Sequence, residues 1–182
     1  MTREELAKQI YACAYLTGEF ELRSGGISHE YFDKYMFESN PKLLLEIANH
    51  MQYLIPENTK IIAGLEMGGI PIVTALSLKT NIPAAFVRKK QKKYGTCRLA
   101  EGTDITEEKV LVIEDIITSG VQVIDSVREL RKQGAIIDTV LCVILRDQKA
   151  IKVLVDEGLF LKPLFTMDFV KQQSNNLIKR LI

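Results

Sequence analysis

Residues 110–120 read VLVIEDIITSG. Val110–Ile113 is a short, β-branched apolar run, as in a strand buried on both faces. Two acids follow at once, Glu114 and Asp115, and then Thr118-Ser119-Gly120. Neighbouring carboxylates at a strand end repel each other, so the arrangement implies something that offsets the repulsion. Beyond Gly120, Val123, Val127 and Leu130 share one face of an amphipathic helix. The N–H groups at a helix start have no intrahelical partners, and the macrodipole there favours an anion. Thr118, Ser119 and Gly120 therefore suit a phosphate. Glu114 and Asp115 are poor phosphate ligands, but they accept hydrogen bonds from sugar hydroxyls and attract magnesium. The stretch fits a ribose 5-phosphate; its bland alternative is a solvated strand-to-helix turn.

The same rhythm extends outward. Residues 61–65 (IIAGL), 84–87 (AAFV), 109–113 (KVLVI) and 139–145 (TVLCVIL) read as strands. Residues 161–165 add another, weakened by Pro163. A glycine turn after residue 65 leads to a helix through about Lys79, and the helix after Gly120 ends near Gly134. Upstream, Thr2 and Glu5 form a capping box for a helix that Gly18 stops. Phe20 and Leu22 alternate as in a short strand, and Tyr31–Asp33 is extended. Asn40-Pro41 opens a second helix with Leu44, Leu45, Ile47, Ala48, Met51 and Leu54 on its buried stripe. Alternating strands and helices give an α/β fold with a central, mostly parallel sheet flanked by helices. A single domain spanning 1–182 is expected, without repeats or linkers. In such sheets ligands bind beyond the carboxyl ends of the strands. Loops 64–71, 88–104, 114–120 and 146–149 should therefore converge.

Composition narrows the classes. The chain has 182 residues, 47% hydrophobic and 26% charged, enough for a substantial core. A net charge of +1 gives no global field for nucleic acid or an anionic membrane. No apolar run is long enough to span a membrane, and the N-terminus lacks a secretory h-region, so a cytoplasmic location is expected. Cys13, Cys97 and Cys142 are an odd number without close spacing, which speaks against a disulfide framework. His29 and His50 stand apart from any cysteine, against a metal centre. No G-x-S-x-G occurs, against a serine hydrolase.

The other loops carry chemistry of their own. Residues 88–98, RKKQKKYGTCR, hold six basic residues among eleven and no acid. A charge run is commonly a solvated face. This one follows a strand, where ligands bind, and it suits closure over a diphosphate whose charge grows as a bond breaks. Residues 64–71, GLEMGGIP, allow close backbone approach through three glycines but are not a P-loop. Arg146 follows an apolar strand; it either pairs with Asp147 or offers its fork to a substrate carboxylate, and the sequence leaves both open.

Together these residues resemble the type I phosphoribosyltransferase family. VLVIEDIITSG is similar to that family's signature for phosphoribosyl pyrophosphate (PRPP). FELRSGGISHEYFD (20–33) and FVRKKQKKYG (86–95) are similar to the N-terminal segment and flexible catalytic loop of its orotate-specific branch. The resemblance runs from about residue 18 to 150 and implies a small N-terminal hood over about 18–40. It implies PRPP contacts from Arg88, Lys89, Lys92, Tyr94, Glu114, Asp115, Ile116, Ile117, Thr118, Ser119, Gly120, Val121 and Gln122. Lys89, Lys92 and Asp115 are the implied catalytic residues. Thr118 and Arg146 are implied to bind orotate, with Arg23, Tyr31 and Phe32 covering the base. Magnesium is implied as cofactor, held mainly through PRPP rather than by the protein. A homodimer sharing the 88–98 loop across subunits is also implied, with no nucleic-acid or membrane partner.

Four positions depart from the family pattern. Tyr94 stands where the loop often has histidine, Gly68 where some members have lysine, Val121 where a hydroxyl is frequent, and Arg23 where lysine is frequent. The implied reaction is transfer of ribose 5-phosphate from PRPP to N1 of orotate, in pyrimidine synthesis. The competing readings are a purine phosphoribosyltransferase and a non-catalytic PRPP-sensing regulator of the same fold.

Overall fold

The computed structural model describes residues 1–21, 25–90 and 98–178. Its centre is a six-stranded sheet ordered β5-β4-β3-β6-β7-β8. The strands are β3 (Ile61–Leu65), β4 (Ala84–Val87), β5 (Ala100–Gly102), β6 (Val110–Ile117), β7 (Thr139–Leu145) and β8 (Phe160–Thr166). β3, β4, β6, β7 and β8 run parallel, and β5 is antiparallel at one edge. This is the expected central sheet.

Helices cover both faces. One face packs on α1 (Arg3–Ala14), α3 (Pro41–Met51), α4 (Gly69–Thr80) and α7 (Met167–Ile178). The other packs on α5 (Val121–Lys132) and α6 (Lys149–Asp156). β3, β6 and β7 are sandwiched between these layers, so every residue of β3 and β7 is buried. That explains their unbroken apolar runs. β8 pairs with β7 alone, and Pro163 is tolerated because β8 is an edge strand. Among the described residues, no helix is long and apolar enough to cross a membrane.

The N-terminal segment forms an antiparallel hairpin of β1 (Tyr15–Glu21) and β2 (Ile27–Phe32), followed by the single turn α2 (Tyr35–Glu38). Thr2 caps α1 with both capping-box hydrogen bonds present, as its sequence requires. Gly18 does not stop that helix. α1 ends at Ala14, and Gly18 lies within β1, where the register with β2 shifts. Asn40 caps α3 through Lys42 N–H and Leu43 N–H, with Pro41 at its first turn. The buried stripe of α3 is Leu43, Ile47, Ala48 and Met51; Leu45 is exposed, because the stripe starts one residue earlier than expected.

Candidate active site

The acidic pair lies inside a strand and not in a loop. β6 continues past Ile113 to Ile117, so Glu114 and Asp115 are ladder residues at its carboxyl end. Asp115 is 0% exposed and Glu114 7%. Glu38, at the end of α2, joins them with 5% exposure. Three carboxyls in so dry a place cannot all ionise. Burial pushes Glu38 up to about 9, with Asp115 adding to the shift. Burial also pushes Glu114 up to about 9, helped by a hydrogen bond with Asp115. Burial opposes charge on Asp115 too, but hydrogen bonds from Glu114 and Lys34 hold it below the ordinary carboxylate range. Lys34 Nζ lies 2.5 Å from Asp115 Oδ2. The opening repulsion is therefore resolved by protonating two acids and pairing the third.

Asp115 also controls the turn after β3. A side chain at Gly68 would run into it, since a Cβ there falls 1.4 Å from Asp115 Oδ2. That contact gives a physical reason for glycine at 68. The neighbouring Glu66–Met67 peptide is cis. Glu66 Oε1 accepts a 2.7 Å hydrogen bond from Lys89 N–H, tying this turn to the end of β4.

Thr118, Ser119 and Gly120 form the bend between β6 and α5. Gly120 has φ +79, a left-handed conformation that glycine adopts without strain. It precedes the first turn of α5 and offers no side-chain cap, while Ser119 Oγ accepts a 3.5 Å hydrogen bond from Val121 N–H. Thr118 and Ser119 are exposed. The helix-start N–H groups and two hydroxyls thus face an open cleft, the geometry expected for a phosphate.

That cleft measures about 200 Å³. Lys34 and Tyr35 come from the hood, Glu66 and Met67 from the β3–α4 turn, and Lys89 from the end of β4. The remaining wall is Glu114–Gly120 with Gln122 and Val123. Three of the four expected loops therefore meet here. Val121 is 54% exposed and does not line the cleft. Arg88 lies beside it, in a neighbouring groove with Gln122, and its Nε is 3.4 Å from Glu101 Oε1. Arg23, Lys92 and Tyr94 lie outside the described residues.

The fourth loop builds a second cleft of about 210 Å³, lined by Tyr11, Tyr15, Tyr31, Phe32 and Arg146 among others. Tyr11 and Tyr15 stack at 4.7 Å, and Tyr31 stacks on Phe20 at 5.3 Å. Arg146 is exposed and forms no ion pair with Asp147 among the described residues; Asp147 accepts instead from Lys149 N–H. A flat aromatic wall beside a free guanidinium suits a planar anion. Arg146 N–H donates to Ile117 O at 2.7 Å, so the two clefts share that backbone contact. Thr118 lines the first cleft and not the second.

Sequence reasoning missed Lys34, Tyr35, Glu38, Glu66, Tyr11 and Tyr15. Glu66 carried a signal, as an acid among glycines directly after a buried strand. Lys34 and Glu38 carried none, because α2 is a single turn too short for periodicity.

The chain matches the phosphoribosyl transferase domain family over residues 36–161. It is 50% identical over 161 residues to an orotate phosphoribosyltransferase of Nocardioides sp., covering 88% of this chain and 90% of that one. An orotate phosphoribosyltransferase of Methanocella arvoryzae is 38% identical over 160 residues, with 88% and 90% covered. The fold superposes on a Mycobacterium tuberculosis orotate phosphoribosyltransferase crystallised with PRPP, with a TM-score of 0.80, 25% identity, and 93% and 98% of the chains covered. Adenine phosphoribosyltransferase from Thermoanaerobacter pseudethanolicus shares the fold at a TM-score of 0.67 and 16% identity. With a domain match over most of the chain and half of all aligned residues identical to an orotate enzyme, the chain belongs to the phosphoribosyltransferase family and, within it, to the orotate phosphoribosyltransferases.

Proposed function

We propose that this chain transfers ribose 5-phosphate from PRPP to orotate, giving orotidine 5'-phosphate and diphosphate in pyrimidine synthesis. The observation that carries the reading is the pair of adjoining clefts, one ending in an acidic pair and an anion loop, the other pairing aromatic rings with Arg146. Relatives named as orotate enzymes support it.

In this mechanism the Thr118–Gly120 bend and the start of α5 hold the 5-phosphate. Asp115, the ionised acid, accepts from the ribose hydroxyls. Glu114, neutral and buried beside it, fixes the Asp115 carboxylate. Arg146 holds the orotate carboxylate and turns N1 towards C1'. N1 then bonds to C1' while the bond from C1' to the diphosphate oxygen breaks; the electron pair of that bond leaves with diphosphate, and the N1 proton is taken up by the departing diphosphate. The protein aligns the reactants and stabilises the leaving charge. Lys89 does so from the end of β4, with Lys92 and Tyr94 as partners on the 88–98 loop. The resemblance supports a homodimer in which that loop is shared between subunits.

Magnesium prefers oxygen donors and keeps waters and substrate phosphates in its shell. Glu114 and Asp115 offer oxygen at the cleft wall, but no described cluster of three acids, histidines or cysteines is arranged to hold a metal. The donor set fits an ion carried in on PRPP, which would neutralise diphosphate charge there.

The test is a base panel. Orotate, adenine, hypoxanthine and uracil are each incubated with PRPP and magnesium, and products are identified by mass. Orotidine 5'-phosphate alone is expected. A purine nucleotide in its place would keep the PRPP site and overturn the base assignment. PRPP binding without product would favour a regulator.

A further inference from the structure

Lys34 belongs to none of the motifs that carry the family resemblance, yet it pairs with the most deeply buried carboxylate of the acidic cluster. Its ammonium sits 2.5 Å from Asp115 Oδ2, with the lysine side chain 32% exposed and the aspartate side chain 1%. It thus spans the boundary between the buried carboxyls and the open cleft. Glu38 and Glu114 do not compete for its charge, because burial keeps both protonated. An ammonium has three donors, and Asp115 uses one face of it. Tyr35 lies alongside, its ring centre 5.3 Å from Nζ. Opposite, the Gly68 backbone packs directly against Asp115, and a Cβ there would fall 1.4 Å from Oδ2.

PRPP needs two kinds of partner. Its 5-phosphate is served by the N–H and hydroxyl donors of the 118–120 bend. Its diphosphate needs cations, and the cations lining this cleft among the described residues are Lys34 and Lys89. Its ribose hydroxyls need Asp115, which Lys34 already holds. We propose that Lys34 is a substrate-binding residue that exchanges partners, holding Asp115 in the empty cleft and turning to the diphosphate when ribose hydroxyls take Asp115. Ribose binding then releases a cation where the leaving group sits. This rests on the PRPP reading of the cleft.

The exchange separates two ligands that a scaffolding role would affect alike. Calorimetric titrations with diphosphate, ribose 5-phosphate and PRPP, all with magnesium, compare the wild type with Lys34→Gln and Lys34→Arg. Lys34→Gln keeps a donor to Asp115 and removes the charge. It is expected to lose about tenfold or more in affinity for diphosphate and PRPP, while ribose 5-phosphate binds as tightly as before or tighter. Lys34→Arg is expected to stay within about threefold for diphosphate. Should Lys34→Gln melt early, amine-reactive labelling of Lys34 in the wild type, read by mass spectrometry, replaces it: ribose 5-phosphate should raise the labelling and diphosphate should suppress it, and equal labelling with both would overturn the exchange. Equal losses for all three ligands, or unchanged diphosphate affinity, would overturn the exchange. In the second case normal wild-type binding leaves the PRPP reading intact. Wild-type protein that binds neither ribose 5-phosphate nor PRPP would overturn both.

Discussion

Gly68 and Asp115 are packed so closely that a Cβ on the glycine would fall 1.4 Å from Asp115 Oδ2. The β3–α4 turn and the end of β6 are therefore fitted to each other through the absence of a side chain. Gly68→Ala must displace either the turn or an aspartate already bound to Lys34. Overpacking of this kind costs about 1–3 kcal/mol. Thermal unfolding and PRPP titration of the variant should show lower stability and weaker binding together. Unchanged values for both would mean that the fit is slack.

Lys89 lines the first cleft, and its backbone N–H anchors the strand end to Glu66. Lys89→Ala should therefore fold normally. If its ammonium stabilises the departing diphosphate, the loss is about 2.7–4 kcal/mol, or at least roughly a hundredfold in kcat. Steady-state kinetics beside a melting curve checks this; a near-normal rate would remove Lys89 from the chemistry.

Arg146 faces the aromatic cleft without an ion pair to Asp147. Arg146→Ala should raise KM for orotate about tenfold or more and leave PRPP affinity nearly unchanged. Lysine should rescue it poorly, because a point charge lacks the bidentate fork. Equal effects on both substrates would argue that Arg146 supports the fold between the clefts.

Glu38 keeps its proton up to about 9 in the folded chain, against an ordinary value of 4.5. Within that window the folded state binds more protons than the unfolded state, so rising pH weakens folding. Below the window both states are protonated, and this contribution to pH dependence disappears. Glu38→Gln cannot ionise. Its melting temperature should exceed the wild type's by a margin that grows from pH 5 to pH 8.5. A constant margin would show that Glu38 is ionised in the folded chain.

The sheet was legible because β3 and β7 are buried on both faces and so write themselves as uninterrupted apolar runs. The bend at Thr118-Ser119-Gly120 was legible because it joins such a strand to an amphipathic helix. The end of β6 was not, because charge in a sequence reads as a strand's end while Asp115 is wholly buried. β5 spans three residues and α2 four, too few for either period to show. The role of Lys34 depends on a contact across 81 residues of chain, which no local pattern encodes.

The most direct measurement follows the ultraviolet absorbance of orotate in a mixture with PRPP and magnesium, omitting each component in turn. Orotate should disappear only in the complete mixture, with one diphosphate released for each orotate consumed. Orotate that persists in the complete mixture, with PRPP demonstrably bound, would contradict the account at its centre.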